Sequence, residues 1–167
     1  LAWKFLSPER TLGYGDGRAV VPGAVLRVKP PVALCERGIH GSIRILDALQ
    51  YAPHNNPHVA RVRLRGTVAR GADKVCASIC DVLWVADASP VLHEFACWCA
   101  ESALFGVAMR GNAVDDRSIN AIAVKRRFMR GEASSEELAA ARAAAWAAAR
   151  AAAWDAARDA ANEHLDA

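Results

Sequence analysis

A short segment in the first third of the chain carries side chains suited to binding a flat ligand. His40 and Ser42 follow Gly38 closely, and Tyr51 lies thirteen positions after that glycine. A strand, a tight turn and one or two helical turns would bring the tyrosine ring back over the strand and form a slot for a flat heterocycle. We predict that His40, Ser42 and Tyr51 line a ligand-binding site. The alternative is that they are half-buried residues that support a turn.

The segment from Gly38 to Tyr51 resembles a unit of the ADP-ribosyltransferases, in which a glycine opens a short strand and a tyrosine on the following helix stacks on the nicotinamide of NAD. The resemblance implies an NAD-type slot. That fold also needs a carboxylate on a later strand, and we expect none, because the strand from Val59 carries arginines while Glu94 and Glu101 fall on a helix. We therefore assign no catalytic residue and no cofactor. An ADP-ribosyltransferase-like enzyme, or a degenerate relative, is kept as an alternative.

Three arginines at alternate positions, Arg61, Arg63 and Arg65, form a second candidate site. Period-two spacing on a strand places their guanidinium groups on one sheet face, where they repel one another unless anions or carboxylates lie opposite. The pattern predicts a binding face for a nucleotide or another phosphate ligand. The alternatives are that acids on a helix cover the face, or that its charge protects an exposed edge from aggregation.

Lys125, Arg126, Arg127 and Arg130 place a basic group near the predicted end of a helix. Cations at that position complement the helix dipole. Nucleic-acid binding through this group and the arginine strand is a further alternative, but no helix-turn-helix pattern and no strand aromatics of the single-strand binding type accompany them. The formal net charge of +3 does not by itself imply a nucleic-acid partner.

Cysteine and histidine residues occur in close pairs, but their spacings do not predict a metal site. None of these pairs has the CxxC spacing of structural zinc sites. The pairs are Cys76 with Cys80, Cys97 with Cys99 and His54 with His58, while His93 and Cys97 would share a helix face. Five cysteines in 167 residues are too few for a secreted disulfide scaffold, so we expect free thiols and no metal.

Length and composition are those of a globular protein. The chain of 167 residues is 53% hydrophobic and 23% charged, which is enough for one domain with its own core. No apolar run approaches the roughly 18 residues that a membrane span requires, and no signal peptide opens the chain. We therefore expect a protein with no membrane association that acts inside the cell.

Residues 1–88 are predicted to form an α+β core. Ser42 is expected to cap a short helix that runs from Ile43 to Tyr51. The clearest strand pattern runs from Val59 to Val68, with alternate residues inward, and the segment from Val75 to Ala86 is predicted to pair with it. The N-terminal half therefore predicts a small antiparallel sheet with one short helix.

The C-terminal half is predicted to be all helical. Residues 89–131 form a helical part that we expect to pack on the core, with Asp115 near the start of its second helix. Residues 132–167 form a long alanine-rich helix, for which Ser134 and Glu137 provide a capping box. The fold class is therefore α+β. Because alanines bury little area, we expect the rest of the chain to fold without this last helix.

Arginine or tryptophan recurs at every fourth position of the alanine-rich helix. Four residues advance by about 400°, so these side chains wind slowly around the helix. The alanines between them let another backbone approach closely, and tryptophan is a common anchor of protein interfaces. We predict a contact with a host protein or with a second copy, and the alternative is that the helix folds back on its own domain. The residues of this predicted contact are Trp146, Arg150, Trp154 and Arg158.

Three stretches of the chain resemble an uncharacterised domain family of bacteriophages and prophages of high-GC hosts. They are LCERGIHGSIRILDALQYAP, DKVCASICDVLW and AAAWAAARAAAWDAARDAA. The resemblance covers residues 3 to about 100, and the tail resembles the family in composition but not in register. It implies a setting and not a mechanism: a phage-derived accessory or host-interaction protein, including one directed against host defences. Such a protein would bind a host protein or a nucleotide in the host cytoplasm.

Overall fold

The computed structural model describes the chain as far as residue 165, and its side chains as far as residue 158. It divides into two compact units, Leu1–Ser89 and Pro90–Ala167. The first unit contains an antiparallel sheet with one short helix, and helices follow in the second half of the chain. The predicted α+β class is confirmed.

The first unit is built on two long strands that pair with each other and with three short ones. The sheet order is β1-β4-β5-β2, β3 also pairs with β5, and all these pairings are antiparallel. The elements are β1 (Ala2–Leu6), β2 (Val25–Arg27), β3 (Ile39–Gly41), α1 (Ile45–Leu49), β4 (His58–Arg70) and β5 (Val75–Asp87). The predicted hairpin from residue 59 to residue 86 is confirmed as β4 and β5.

Alternation along β4 creates the core of the first unit. Ala60 and Val62 are fully buried and Leu64 is partly buried against the same cluster. Beyond them the register with β5 shifts between Arg65 and Val68. Gly66 lies at this shift with φ of +81°, a conformation that favours glycine because it has no Cβ. The shift interrupts the alternation, which explains why Val68 is exposed although the period-two pattern places it inward.

The prediction that Ser42 caps a helix is wrong. Helix α1 begins later, at Ile45, its N-cap is Arg44, and no side chain caps it. Ser42 is buried, and its backbone exchanges two hydrogen bonds with Trp3, at 2.7 and 2.9 Å. Pairing with β1 keeps the chain extended past β3, so the helix is shorter than predicted and Tyr51 lies in the turn that follows it.

The second unit contains three helices, α2 (Ser89–Met109), α3 (Asp116–Met129) and α4 (Ser135–Leu165). Val124 on α3 is buried together with Leu138 and Ala141 on α4, which joins these two helices through a small apolar cluster. The Arg126 side chain on α3 joins α2 by ion pairs to Glu94, at 2.6 Å, and to Glu101.

Helix α4 begins with the predicted capping box. The Glu137 N–H donates to Ser134 Oγ at 3.1 Å, and the Ser134 N–H donates to a Glu137 carboxylate oxygen at 2.7 Å. Buried residues recur along the helix as far as Ala148, and residues 149–158 are exposed. The expectation that alanines here bury little is therefore wrong for the first half of α4, because small residues let α3 approach closely.

None of the helices in the described part of the chain is long and apolar enough to cross a membrane.

Candidate functional site

The first unit contains a cavity of about 570 Å³. Its volume lies within the roughly 300–1,000 Å³ of small-molecule sites. Strands β1 and β3 and the loops beside them line it, and His40, Ser42 and Tyr51 are all among the lining residues. The structure therefore brings together the three residues that the sequence singled out. It does not place Arg61, Arg63 or Arg65 in the lining.

His40 lies on β3 and faces the cavity as a neutral imidazole. Its Nε2 accepts a hydrogen bond from the backbone N–H of Cys35 at 3.1 Å. A nitrogen that accepts such a bond carries no proton, so the proton is on Nδ1. Burial lowers the pKa of His40 below its ordinary value, and the positive charge of Lys4 lowers it further. His40 thus holds the loop at Cys35 against β3 as long as it remains neutral.

Lys4 was not identified as a site residue from the sequence, yet it places a cation in the cavity. It lies on the same face of β1 as Ala2 and Leu6, which are buried in the core. Its Nζ donates to the His40 carbonyl oxygen at 3.1 Å, and burial lowers the pKa of the ammonium. Among the residues that the structure describes, none places a carboxylate within ion-pair distance of Lys4 Nζ, and the charge of Asp16, which acts from farther away, opposes only part of the lowering of the Lys4 pKa.

The mouth of the cavity near Tyr51 contains a charged pair from the β4–β5 turn. The Tyr51 hydroxyl donates to the Asp73 carboxylate, and Gln50 Nε2 donates to the same carboxylate at 3.2 Å. Lys74 Nζ lies 4.8 Å from the centre of the Tyr51 ring. The hydrogen bond from Tyr51 lowers the pKa of Asp73, and the same bond raises the pKa of Tyr51. Interactions with Tyr51 and with the Cys35 thiol raise the pKa of Lys74.

Asp73 and Lys74 were not identified as site residues from the sequence. The pairing of β3 with β5, in which Gly41 lies opposite Val75, places that turn beside the end of β3. A residue 22 positions after Tyr51 thereby becomes its hydrogen-bond partner. No local signal in the sequence gives this pairing, because three-residue strands such as β3 have too short a pattern to fix a partner.

The carboxylates in or beside the cavity lie in loops and in the β4–β5 turn. Asp16 and Glu36 line the cavity, and Arg18 binds the Asp16 carboxylate with two bonds of 2.6 and 2.7 Å. The expectation that the later strands carry no acid is wrong, because Asp81 lies on β5. Asp81 is not in the cavity lining and instead binds Arg65.

The three arginines of β4 occupy the sheet face opposite the core. Arg61 lies over the ring of Trp3, with its guanidinium carbon 4.3 Å from the ring centre. Arg65 binds Asp81 of the neighbouring strand at 2.8 Å, and the pKa of Asp81 is lowered first by Arg65 and further by Arg63. An acid on the neighbouring strand and an aromatic ring on β1 therefore compensate part of the positive charge of this face. Phosphate binding there remains a prediction.

The basic group at the end of α3 is largely neutralised within the second unit. Arg126 binds two glutamates of α2, and Arg130 binds Glu132 at 2.8 Å. Arg127 Nη2 donates to the Glu132 carbonyl oxygen at 3.0 Å. Nucleic-acid binding through this group remains a prediction, and these ion pairs reduce the positive charge that a phosphate backbone would meet.

The predicted contact residues of α4 lie on its outer part. Trp146 and Trp154 are 67% and 75% exposed. Arg150 is exposed as well, and Arg158 forms an ion pair with Asp155 at 3.5 Å. Contact of these residues with a host protein or with a second copy remains a prediction.

The cysteines are free thiols, of which Cys35 and Cys99 are exposed and the other three are buried. In the described part of the chain, no group of three His, Cys, Asp or Glu side chains is placed to hold a metal ion. Comparisons of the chain with protein-family models, with curated proteins and with solved structures gave no match, so the cavity is interpreted from its own chemistry.

Proposed function

We propose that the first unit binds a small anionic ligand with a flat heterocycle, of the nucleotide or dinucleotide type, in the cavity lined by His40 and Tyr51. The observation that carries this proposal is the Lys4 ammonium, which faces the cavity and has a backbone carbonyl as its hydrogen-bond acceptor. A charge removed from water is costly unless an opposite charge accompanies it. A phosphate in the cavity would supply that charge.

The walls of the cavity suit the rest of such a ligand. Phe5, Leu12 and Ile39 give it an apolar lining. At its mouth the Tyr51 ring is held by Asp73, and Lys74 provides a second cation beside that ring. Apolar walls combined with a few fixed polar groups are typical of cofactor and nucleotide sites. An aromatic ring can stack on a heterocycle while the two lysines bind phosphate oxygens.

Titration calorimetry of the full chain with ADP, NAD⁺ and inorganic pyrophosphate tests this proposal. We expect ADP or NAD⁺ to bind, and Lys4→Met to weaken binding by about tenfold or more, since charged hydrogen bonds contribute roughly 1.5–3 kcal/mol. Lys29→Met is the matched control, because Lys29 is exposed and outside the cavity lining. Absence of binding by all three probes at millimolar concentration, or equal losses in the two variants, would contradict the proposal.

A second candidate is an NAD-consuming enzyme. Gly38 and Tyr51 line the same cavity, as the resemblance to ADP-ribosyltransferases implies, and the Asp73 carboxylate contacts the tyrosine. In this reaction the bond between ribose C1′ and the nicotinamide nitrogen breaks, nicotinamide leaves with the bonding electrons, and water or another nucleophile bonds to C1′ and loses a proton. A carboxylate would stabilise the cationic transition state.

Release of nicotinamide from NAD⁺ separates the two candidates. We expect binding without turnover, because Asp73 lies in a turn and its oxygen already accepts bonds from Tyr51 and Gln50. Turnover that is lost in both Tyr51→Ala and Asp73→Asn would establish the enzyme instead. Asp47→Asn is a suitable control, since Asp47 pairs with Arg44 and does not line the cavity.

The biological setting of the proposal is that of a phage-derived accessory protein in the host cytoplasm, with a host protein docked on the outer part of α4. The exposure of Trp146 and Trp154 supports such a contact. A Trp146→Ala/Trp154→Ala variant should lose the main host protein recovered with the full chain. Ala147→Ser, also exposed, is the control. Identical recovery with both variants would contradict docking through the tail.

A further inference from the structure

Helix α2 carries an exposed apolar stripe that neither the cavity nor α4 explains. We call it the α2 stripe. Its members are Val91, Phe95, Trp98, Phe105 and Met109. Their side chains are 63%, 36%, 58%, 67% and 71% exposed, in that order. We propose that the α2 stripe is a self-association surface and that its partner is the same stripe of a second copy of this chain.

The spacing of the stripe is that of a coiled-coil seam. Its members are separated by four, three, seven and four residues, and Ser102 fills the missing position between Trp98 and Phe105. Alternating steps of three and four residues keep side chains on one side of a helix. Six successive seam positions therefore face the same way along α2. The rings of Phe95 and Trp98 stack, with centres 5.9 Å apart, so this part of the surface is already ordered.

Other residues hold α2 within the second unit. Cys97 is buried, and Glu94 and Glu101 both bind Arg126 of α3. These two acids flank the seam, where unpaired like charges would repel those of a second copy. Because Arg126 offsets one of these two negative charges, the repulsion between two identical stripes is reduced.

The area of the stripe is sufficient for a dimer. Large side chains bury roughly 150–250 Å² each, so at the observed exposures each member offers about 100 Å². Five members then give about 500 Å² per copy and about 1,000 Å² for the pair, which lies in the size range of weak, transient interfaces and below the roughly 1,200 Å² of stable ones. The predicted dimer is therefore modest in affinity and concentration dependent.

Mass measurement by light scattering of the full chain tests the proposal. We expect a mass that rises from monomer to dimer between about 1 and 100 μM, as an interface near the lower size limit implies. Phe105→Arg should keep the protein monomeric with an unchanged melting temperature. Ala103→Arg, exposed on α2 but outside the stripe, should dimerise normally. The Trp146→Ala/Trp154→Ala variant should also dimerise, which separates this surface from the tail.

A cross-linking experiment identifies the contact directly. Ser102 lies opposite its counterpart in a parallel pair, and about one helical turn from it in an antiparallel pair centred on the stripe. In a background with Cys35→Ser and Cys99→Ser, Ser102→Cys should form a covalent dimer on oxidation with copper phenanthroline. Ala103→Cys should form much less.

A monomer throughout that range would overturn the proposal. So would a monomeric Phe105→Arg variant whose melting temperature falls by several degrees, because the stripe would then be covered within one chain. The proposal does not depend on the cavity, and ligand binding is expected to be equal in the Phe105→Arg and unaltered proteins.

Discussion

Replacing Gly66 by alanine is expected to destabilise the first unit by more than its backbone conformation alone explains. At φ of +81°, an alanine is strained by about 1 kcal/mol. Its Cβ would also lie 2.4 Å from the hydroxyl oxygen of Ser78, closer than any unstrained contact. Ser78 is only 5% exposed, so its side chain has little room to move away.

The displaced serine would lose a hydrogen bond. Ser78 Oγ accepts from the Thr67 N–H at 3.0 Å, and leaving buried partners unpaired costs about 1–3 kcal/mol. The expected total for Gly66→Ala is therefore about 2–4 kcal/mol. The matched control is Gly23→Ala, because Gly23 has φ of +83° and no atom within 4 Å of the Cβ position. It should lose only the conformational part, about 1 kcal/mol.

Differential scanning calorimetry of the full chain measures both variants. For a unit of this size, each kcal/mol lowers the melting temperature by roughly 4–8 °C, so the two variants should be well separated. Hydrogen exchange of the β4 and β5 amides identifies the transition of the first unit. In a Ser78→Ala background, the excess cost of Gly66→Ala should shrink because the colliding oxygen is gone. Equal melting temperatures for Gly66→Ala and Gly23→Ala would refute this account.

Three further predictions concern the pH dependence of stability, the effect of truncating α4 and the reactivity of the thiols. Burial lowers the pKa of His40 below its ordinary 6.5, so stability present above that pH should be lost as the pH falls through the lowered pKa, and His40→Gln should flatten this dependence in thermal melts. Ending the chain after Ala149 should leave the helical transition intact, whereas ending it after Ala133 removes Leu138, exposes Val124 and should abolish that transition in calorimetry. Ellman titration of the native protein should detect two fast thiols, and denaturation should release the rest. The fast pair is Cys35 and Cys99, and the slow thiols are Cys76, Cys80 and Cys97.

Much of the secondary structure could be predicted from the sequence because it depends on neighbours in the chain. The capping box of Ser134 and Glu137 operates over three residues, and it fixes the start of α4. Period-two alternation around Val62 predicts β4, since one face of a strand must be apolar to pack. The same reasoning fails at Ser42, where pairing with Trp3 overrides a capping preference of about 1 kcal/mol.

The candidate site could be predicted only in part. The spacing between Gly38 and Tyr51 indicates a slot because those residues belong to one continuous segment. Lys4 becomes a site residue only when β1 pairs with β4 and turns its lysine toward the core side, and Asp73 only when β5 pairs with β3. These strand pairings join residues 34 to 60 positions apart, and local propensity carries no information over that range.

The exposed face of α2 could likewise be predicted only in part from the sequence. Helical periodicity identifies a helix that carries Phe95, Trp98 and Phe105, but apolar residues occur on more than one side of it. Which side is buried depends on where Arg126 of α3 binds Glu94 and Glu101. The sequence by itself determined the hairpin, the long helices and the capping box of α4, because short-range hydrogen bonds and side-chain alternation specify them. Only the tertiary structure decided which lysine faces a cavity and which aromatic rings remain in water, because these properties arise when distant segments pack together.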